Sequence, residues 1–149
     1  MSELTKFRAS LLRSARLISD EINQLLLPFQ LNMSYWQALF VIEMKDGCTA
    51  LEIAEYLNIS KPAVSKRINP LLELDLITCT STVDKRQKKL ILTAQGRDIF
   101  MQCSVAIDHF EATLLEGFSA HEIAITKNVL DRVIEKMILK KQGDHHERN

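Results

Sequence analysis

The chain has 149 residues, 46% of them apolar, so it can build one compact unit with a core of its own. Nineteen basic and nineteen acidic residues give a net charge of zero, and no apolar run exceeds five residues, so the sequence predicts no membrane span. Its three cysteines are odd in number and far apart, which argues against a disulfide framework and favours reduced thiols in the cytoplasm.

The predicted elements begin with an amphipathic helix. Apolar residues recur every three or four positions from Leu4 to Leu25, and Pro28 should end this helix. Ser34 and Gln37 have the spacing of a capping box, in which each side chain binds a free backbone N–H of the first turn. A second helix is therefore predicted to begin directly after Ser34.

Two short helices joined by a tight turn are predicted next. Thr49 and Glu52 again have capping-box spacing, so a helix should begin at Ala50. Asn58 can end it in a turn, and Ser60 should cap the following helix. Apolar residues at helical spacing should bury each helix against the other. They are Leu51, Ile53, Ala54 and Leu57 on the first helix, and Val64, Ile68, Leu71 and Leu72 on the second.

Small and basic residues remain on the free face of the second of these helices. Little bulk, hydroxyl groups and cations are what a helix needs to enter the major groove of DNA and bind phosphates or guanine edges. The candidate DNA-binding residues on this helix are Ser60, Lys61, Pro62, Ala63, Ser65, Lys66 and Arg67.

Two residues near the end of the same helix are unusual. Pro70 lies in its interior, where the missing N–H costs about 3 kcal/mol, so we expect a kink or an early end. Asp75 occupies a position where a helix-ending glycine would be usual, and aspartate adopts the left-handed conformation less readily than glycine.

A β-hairpin is predicted from Leu76 to Leu92, because two strand-like segments flank the polar, cationic segment 81–87. Its tip could reach the DNA backbone or the minor groove, where negative potential attracts arginine. The candidate DNA-binding residues here are Lys85, Arg86 and Lys88, and Asp84 should orient the Arg86 guanidinium.

Charge is distributed unevenly along the chain. From Ser60 to Leu90 there are seven cations and three anions, a balance of +4, although the whole chain is neutral. Positive charge is thus concentrated in the segment that the motif predicts to contact DNA.

Five motifs occur in a specific order: Leu51-x-Ile-Ala-x-x-Leu57, Ser60-Lys-Pro-Ala-Val-Ser65, Leu76-Ile77, Asp84-x-Arg86 and Leu92-Thr-x-x-Gly96. In these motifs and their order, the chain resembles the multiple antibiotic resistance regulator (MarR) family of bacterial winged helix-turn-helix transcription factors. The resemblance implies a mainly α fold with a small β-hairpin wing and an obligate homodimer on a pseudo-palindromic operator in double-stranded DNA. It also implies repression that is relieved by a small aromatic or phenolic effector, or by thiol oxidation.

The remaining predicted helices exceed what a winged helix needs. Thr93 can cap a long helix, and Ser119 with Glu122 has capping-box spacing for the last one. We expect 33–93 to be the DNA-binding region, 1–30 and 94–142 to be a helical dimerisation region, and 143–149 to be a disordered tail. The alternative is that the terminal helices wrap only their own domain.

A ligand site is harder to locate. Arg13 and Arg16, with Trp36 and Phe40, could form an aromatic pocket whose cations bind a carboxylate or phenolate. The alternative is that the aromatic residues belong to the core and the arginines are solvated.

Cys48, in a predicted loop, is the candidate for a thiol-oxidation sensor, whereas Cys103 lies on an apolar helix stripe and should be an inert buried thiol. The four histidines form no spaced ligand set, so we expect no metal and no cofactor. No nucleophile elbow, phosphate loop or dinucleotide fingerprint is present, so we do not expect an enzyme. A winged-helix module that binds protein is the other alternative, which the basic wing disfavours.

Overall fold

The computed structural model describes residues 1–80 and 88–148, which form two compact units, Met1–Phe110 and Glu111–Asn149. The elements are α1 (Glu3–Leu26), a 3-10 turn (Leu27–Phe29), α2 (Met33–Met44), α3 (Ala50–Leu57), α4 (Lys61–Glu73), β1 (Ile77–Thr80), β2 (Lys89–Leu92), α5 (Ala94–Leu114) and α6 (Ala120–Glu147). The predicted mainly α fold with a two-stranded hairpin is confirmed.

The core of the first unit is built from the end of α1, from α2, α3 and α4, from the hairpin and from α5. Burial of these aliphatic side chains stabilises the unit by about 1.5–3 kcal/mol for each one that is fully removed from water. The largest side chains in this fully buried set are Leu26, Leu39, Ile42, Ile53, Leu71 and Ile77.

The start of α2 differs from the prediction. The helix begins at Met33 and is capped by Asn32, whose Oδ1 accepts a hydrogen bond from the N–H of Tyr35 at 2.9 Å. The predicted capping box of Ser34 and Gln37 is therefore wrong. Asn32 can take the extended conformation of a cap one residue before the helix, and asparagine is among the best capping residues. The predicted end of α1 just before Pro28 is confirmed.

The helix-turn-helix forms as its caps predict. Thr49 and Glu52 make both hydrogen bonds of a capping box, and Ser60 caps α4 through the N–H of Ala63 at 3.3 Å. Asn58 ends α3 in the left-handed conformation, with φ 54°. The N–H of Ile59 then reaches back to the Ala54 carbonyl, which completes a tight helix-ending turn.

Two of the residues predicted to be buried in this motif are exposed. Leu51 is 54% exposed because it lies about 200° around α3 from the buried Ile53. Leu72 is 38% exposed because it lies about 100° from Leu71, at the edge of the buried stripe of α4.

Helix α4 does not end early at Pro70, but continues to Glu73. Proline removes one donor, yet α4 is fixed by its buried face and closes in a regular turn. Asp75 has φ 58°, and the N–H of Leu76 donates to the Leu71 carbonyl at 3.0 Å. Aspartate thus occupies the left-handed position where glycine is usual.

The hairpin connects α4 to α5. β1 and β2 are antiparallel, with Ile77 opposite Leu92 and Thr80 opposite Lys89. Thr93 then caps α5, because its hydroxyl accepts from the N–H of Gly96 at 2.9 Å and donates to the Asp75 carbonyl at 2.7 Å. The end of β2 and the end of α4 are therefore joined at the first turn of α5.

The second unit contains the end of α5 and α6. Ser119 and Glu122 make the predicted capping box, and none of the residues from 120 to 147 is buried. We expected 143–149 to be a disordered tail, but 143–147 continue α6. An ion pair between Lys140 and Asp144 at 3.3 Å spans this turn, and a single glycine costs a helix only about 1 kcal/mol.

Among the described residues, no single helix is both long and apolar enough to cross a bilayer. The segments Glu3–Phe29 and Met33–Met44 meet the length and composition criteria only when taken together, and they are bent by 81°.

Candidate nucleic-acid interface

The first half of α4 is a helix with one buried face and one free face. Val64 and Ile68 are buried on the core side, together with Leu71. The side chains of Lys61, Pro62, Ser65 and Lys66 are exposed, and Ala63 is half-buried. The sequence prediction therefore assigned the two faces correctly for these residues, but Arg67, which it also placed on the free face, is half-buried.

The N-terminus of α4 has the electrostatic character of an anion site. The Ser60 hydroxyl satisfies one of the free first-turn N–H groups, and the aligned peptide dipoles leave partial positive charge at this end. Lys61 adds a full charge beside it. Ser65 donates its hydroxyl hydrogen to the Lys61 carbonyl at 3.3 Å, so its oxygen retains its capacity to accept.

Arg67 is arranged differently from the other candidates on α4. It is half-buried, and its Nη1 donates to Oε1 of Gln37 at 2.9 Å and to the carbonyl of Ser34 at 3.4 Å. The guanidinium is thus bound to the first turns of α2. Sequence spacing alone could not show this, because the two acceptors lie 30 and 33 positions away.

Asn69 was missed by the sequence analysis. It is exposed, and it follows Lys66 by three positions on the same helix. A carboxamide at such a position has the donor and acceptor pair that can bind adenine in the major groove. Helical spacing from Lys66 would have indicated Asn69. Asparagine is not basic, however, and the prediction included only small and basic residues.

The hairpin presents further basic residues beside α4. Lys88 and Lys89 are exposed, and Lys89 is paired with Thr80 across the two strands. The other wing candidates, Asp84, Lys85 and Arg86, lie outside the described residues.

The four candidate pocket residues are not brought together by any described contact. Trp36 is half-buried and stacks on Phe100, with ring centroids 4.6 Å apart and planes 12° from parallel. Arg13 and Arg16 are exposed, and Phe40 is 42% exposed. A cavity of about 180 Å³ lies elsewhere in the first unit. It is lined by Pro28, Phe29, Gln30, Leu74, Leu76, Gln95 and Ile99.

Cys48 is not the accessible loop thiol that the sequence suggested. Its backbone pairs with Leu90, with hydrogen bonds of 3.1 and 2.8 Å in the two directions, and its side chain is buried. Burial, with a smaller contribution from Glu52, raises the pKa of the Cys48 thiol to about 11. A buried neutral thiol is a poor nucleophile, which disfavours a sensor role.

The other two thiols differ from each other. Cys103 is buried as predicted, and burial raises its pKa to about 11. Cys79, on β1, is exposed. Within residues 1–80 and 88–148, no group of three or more His, Cys, Asp or Glu side chains could hold a metal ion.

Sequence comparison assigns this arrangement to a family. Residues 29–87 match the profile of the MarR family. The uncharacterized HTH-type transcriptional regulator YwoH of Bacillus subtilis is 34% identical over 106 residues, which are 71% of this chain and 77% of YwoH. The chain belongs to the MarR family. It is a DNA-binding transcriptional regulator with a winged helix-turn-helix.

Solved structures of MarR-family proteins have the same fold. Staphylococcus aureus MarR, in complex with salicylate and kanamycin, superposes with a TM-score of 0.81 at 25% identity, covering 90% of this chain and 91% of that one. The S. aureus MepR–DNA complex gives a TM-score of 0.80 at 21% identity, covering 91% and 99%. The helices that flank the winged helix are therefore part of the shared fold.

Proposed function

We propose that this MarR-family protein is a homodimeric repressor that binds a pseudo-palindromic operator and releases it when a small aromatic or phenolic molecule binds. The observation that carries the DNA-binding part is the free, basic first half of α4. Lys61, Ser65 and Lys66 are exposed there, while Val64 and Ile68 hold the opposite face in the core.

The exposed α4 residues would contact DNA in two ways, at phosphates and at base edges. The N-terminus of α4 and Lys61 favour phosphate, since backbone N–H groups and a lysine bind phosphate oxygens irrespective of sequence. Ser65, Lys66 and Asn69 follow along the helix and would meet base edges in the major groove. In the wing, Lys88 with Lys85 and Arg86 would bind the backbone or minor groove, with Asp84 orienting Arg86.

Unpartnered apolar side chains support the homodimer. In the first unit, α1 leaves Leu4, Leu12 and Leu17 more than half exposed. In the second unit, α6 exposes Ile134 and seven other large apolar residues. Such surfaces are uncommon in monomers, and a second copy of the chain would cover them while supplying a second recognition helix for the other half-site. This argues against terminal helices that wrap only their own domain.

The proposed effector class rests on the salicylate bound in S. aureus MarR. A carboxylate or phenolate on an aromatic ring would suit a site with an exposed guanidinium, and Arg13 and Arg16 on α1 provide two. Because the proposed partner is chromosomal DNA, the compartment we propose is the cytoplasm.

The proposal is tested by a salt-titrated binding assay with the DNA that adjoins the protein's own gene, with unrelated DNA as competitor. We expect tight, competitor-resistant binding with a two-fold symmetric footprint, and release by salicylate used as the probe ligand. Equal affinity for both DNAs would contradict an operator beside the gene and would direct attention to a protein partner for the winged helix.

The homodimer is tested separately by sedimentation equilibrium. Ile134→Lys places a charge among the exposed apolar residues of α6 and should shift the protein towards monomer. Asn128→Lys adds the same charge at an exposed polar position about 120° around the helix from Ile134, and should leave the dimer intact. A wild-type protein that sediments as a monomer would contradict the proposal.

A further inference from the structure

The guanidinium of Arg67 binds within the protein, although Arg67 belongs to the recognition helix. Nη1 makes both of its described hydrogen bonds to α2, one to the Gln37 side chain and one to the Ser34 carbonyl. Lys66, the preceding residue, is exposed, whereas Arg67 is half-buried. The Arg67 side chain is therefore directed to α2 and away from the exposed stripe of α4.

The same end of α2 is hydrogen-bonded to α1. The N–H of Met33 donates to Oδ1 of Asn23 at 2.7 Å. Most other described side-chain hydrogen bonds join residues three or four positions apart, but those of Asn23 and Arg67 join different helices. The first turns of α2 are thus bonded to α1 through Asn23 and to α4 through Arg67.

Directional bonds matter at this position because the buried residues of α2 and of α4 are all apolar. Apolar contacts are non-directional, so they bury α4 without strictly fixing its rotation about its own axis. A planar guanidinium with two acceptors has a defined geometry. Neighbouring residues are about 100° apart on a helix, so a modest rotation would move Ser65 and Lys66 relative to the base edges.

We propose that Arg67 and Gln37 are positioning residues that set the rotation of α4 on α2, and that they thereby determine operator selectivity without contact between Arg67 and DNA. The proposal rests on the DNA-binding function proposed above. It assigns a role in specificity to Gln37, which lies outside the recognition helix and the wing.

A positioning role and a phosphate contact have different signatures. Each phosphate contact contributes about one unit to the slope of log affinity against log salt, and its loss weakens binding to all DNA sequences alike. Loss of a positioning bond misplaces the base-contacting residues, so it lowers the preference for the operator and leaves the salt slope and the affinity for unrelated DNA unchanged.

The experiment uses the full-length protein and the operator that the wild-type protein selects from a random-sequence DNA pool. Affinity for this operator and for unrelated DNA is measured across a salt series for Arg67→Ala, Gln37→Leu, their double variant and Gln37→Glu. Gln24→Leu, on the exposed surface of α1, is the matched control. Thermal unfolding is followed for every variant, and Gln37→Leu supplies the test if Arg67→Ala folds poorly.

We expect Arg67→Ala and Gln37→Leu each to reduce the preference for the operator by about tenfold, at an unchanged salt slope. The double variant should lose no more than Arg67→Ala alone, because that substitution already removes the bond to Gln37 together with the bond to the Ser34 carbonyl. Gln37→Glu keeps an acceptor for Nη1 and should retain the wild-type preference.

Two results would overturn the proposal. If Arg67→Ala lowers the salt slope by about one while Gln37→Leu has no effect, Arg67 is a phosphate contact. If the wild-type protein selects no sequence at all, the proposed function fails first, and the positioning role fails with it.

Discussion

Gly96 and Leu76 are in such close contact that a Cβ atom on residue 96 would lie 1.9 Å from the Leu76 carbonyl oxygen. This carbonyl also accepts a hydrogen bond from the N–H of Thr93 at 3.0 Å, so the backbone here has little freedom to retreat. The start of α5 is thus fixed against the junction of α4 and β1. Glycine is required by this close approach, since Gly96 lies in a helix where any residue could adopt the backbone angles.

Gly96→Ala should therefore destabilise the protein by about 3 kcal/mol, because the added methyl group must displace backbone and not a flexible side chain. Chemical denaturation measures the change. Gly143→Ala is the matched control, since a Cβ on this helical glycine meets nothing within 4 Å and should add about 0.5–1 kcal/mol. Equal stability of the two variants would contradict the close approach at Gly96.

Asp75→Gly should have the opposite effect. Asp75 ends α4 with φ 58°, where a Cβ costs about 1–2 kcal/mol. Glycine removes this cost, but it also raises the conformational entropy of the unfolded chain, which offsets part of the stabilisation. We expect a net stabilisation of about 0.5–1 kcal/mol in urea denaturation. The bond from Thr93 goes to the Asp75 backbone carbonyl, so the substitution preserves it. A loss of stability would show that the carboxylate stabilises the native state.

The sequence predicted best those features that depend on local chemistry. The Thr49 and Glu52 capping box, the Ser60 cap and the helix-ending turn at Asn58 each involve residues within a few positions, and each is confirmed. The start of α2 was misplaced because two capping signals overlap there. Asn32 and Ser34 both suit a cap, and the Asn23 side chain, ten positions away, binds the N–H of the residue after Asn32.

Features that depend on distant residues could not be predicted. Cys48 lies in a segment that looks like a loop, and only its pairing with Leu90 buries it. Arg67 has the composition of a DNA contact, and only the approach of Gln37 shows where its guanidinium goes. In both cases the partner is more than 25 positions away, and helical or strand periodicity carries no information about it.

Lys66→Ala should weaken binding to the operator more than binding to unrelated DNA, with little change in the salt slope, because its ammonium group is proposed to meet base edges. Lys66 is exposed on the free face of α4, so its removal should cost little stability. Fluorescence anisotropy across a salt series measures both quantities. Lys140→Ala on α6 is the control and should leave DNA affinity unchanged. If the loss is similar on all DNA and the salt slope falls by about one, Lys66 binds phosphate instead.

Thiol reactivity should separate the three cysteines. Cys79 is exposed, whereas Cys48 and Cys103 are buried, so a thiol-specific chromogenic reagent should modify one thiol quickly and two slowly in the native protein. Cys79→Ser should remove the fast phase, and denaturant should make the remaining thiols react at once. A fast phase that persists in Cys79→Ser would reopen the case for Cys48 as a sensor.

The buried thiols should also make the protein less stable at high pH. Burial raises the pKa of Cys103 from 9.0 to about 11, so in the native state this thiol stays neutral where the unfolded chain ionises it. Stability from this group is complete below pH 9 and declines as pH rises from 9 to 11, because proton loss favours the unfolded state. The loss is at most about 3 kcal/mol. Denaturation of wild type and Cys103→Ala between pH 7 and 11 isolates it from other groups that titrate there. The stability difference between them should be constant up to pH 9 and shrink above it; a constant difference throughout would show that Cys103 ionises normally.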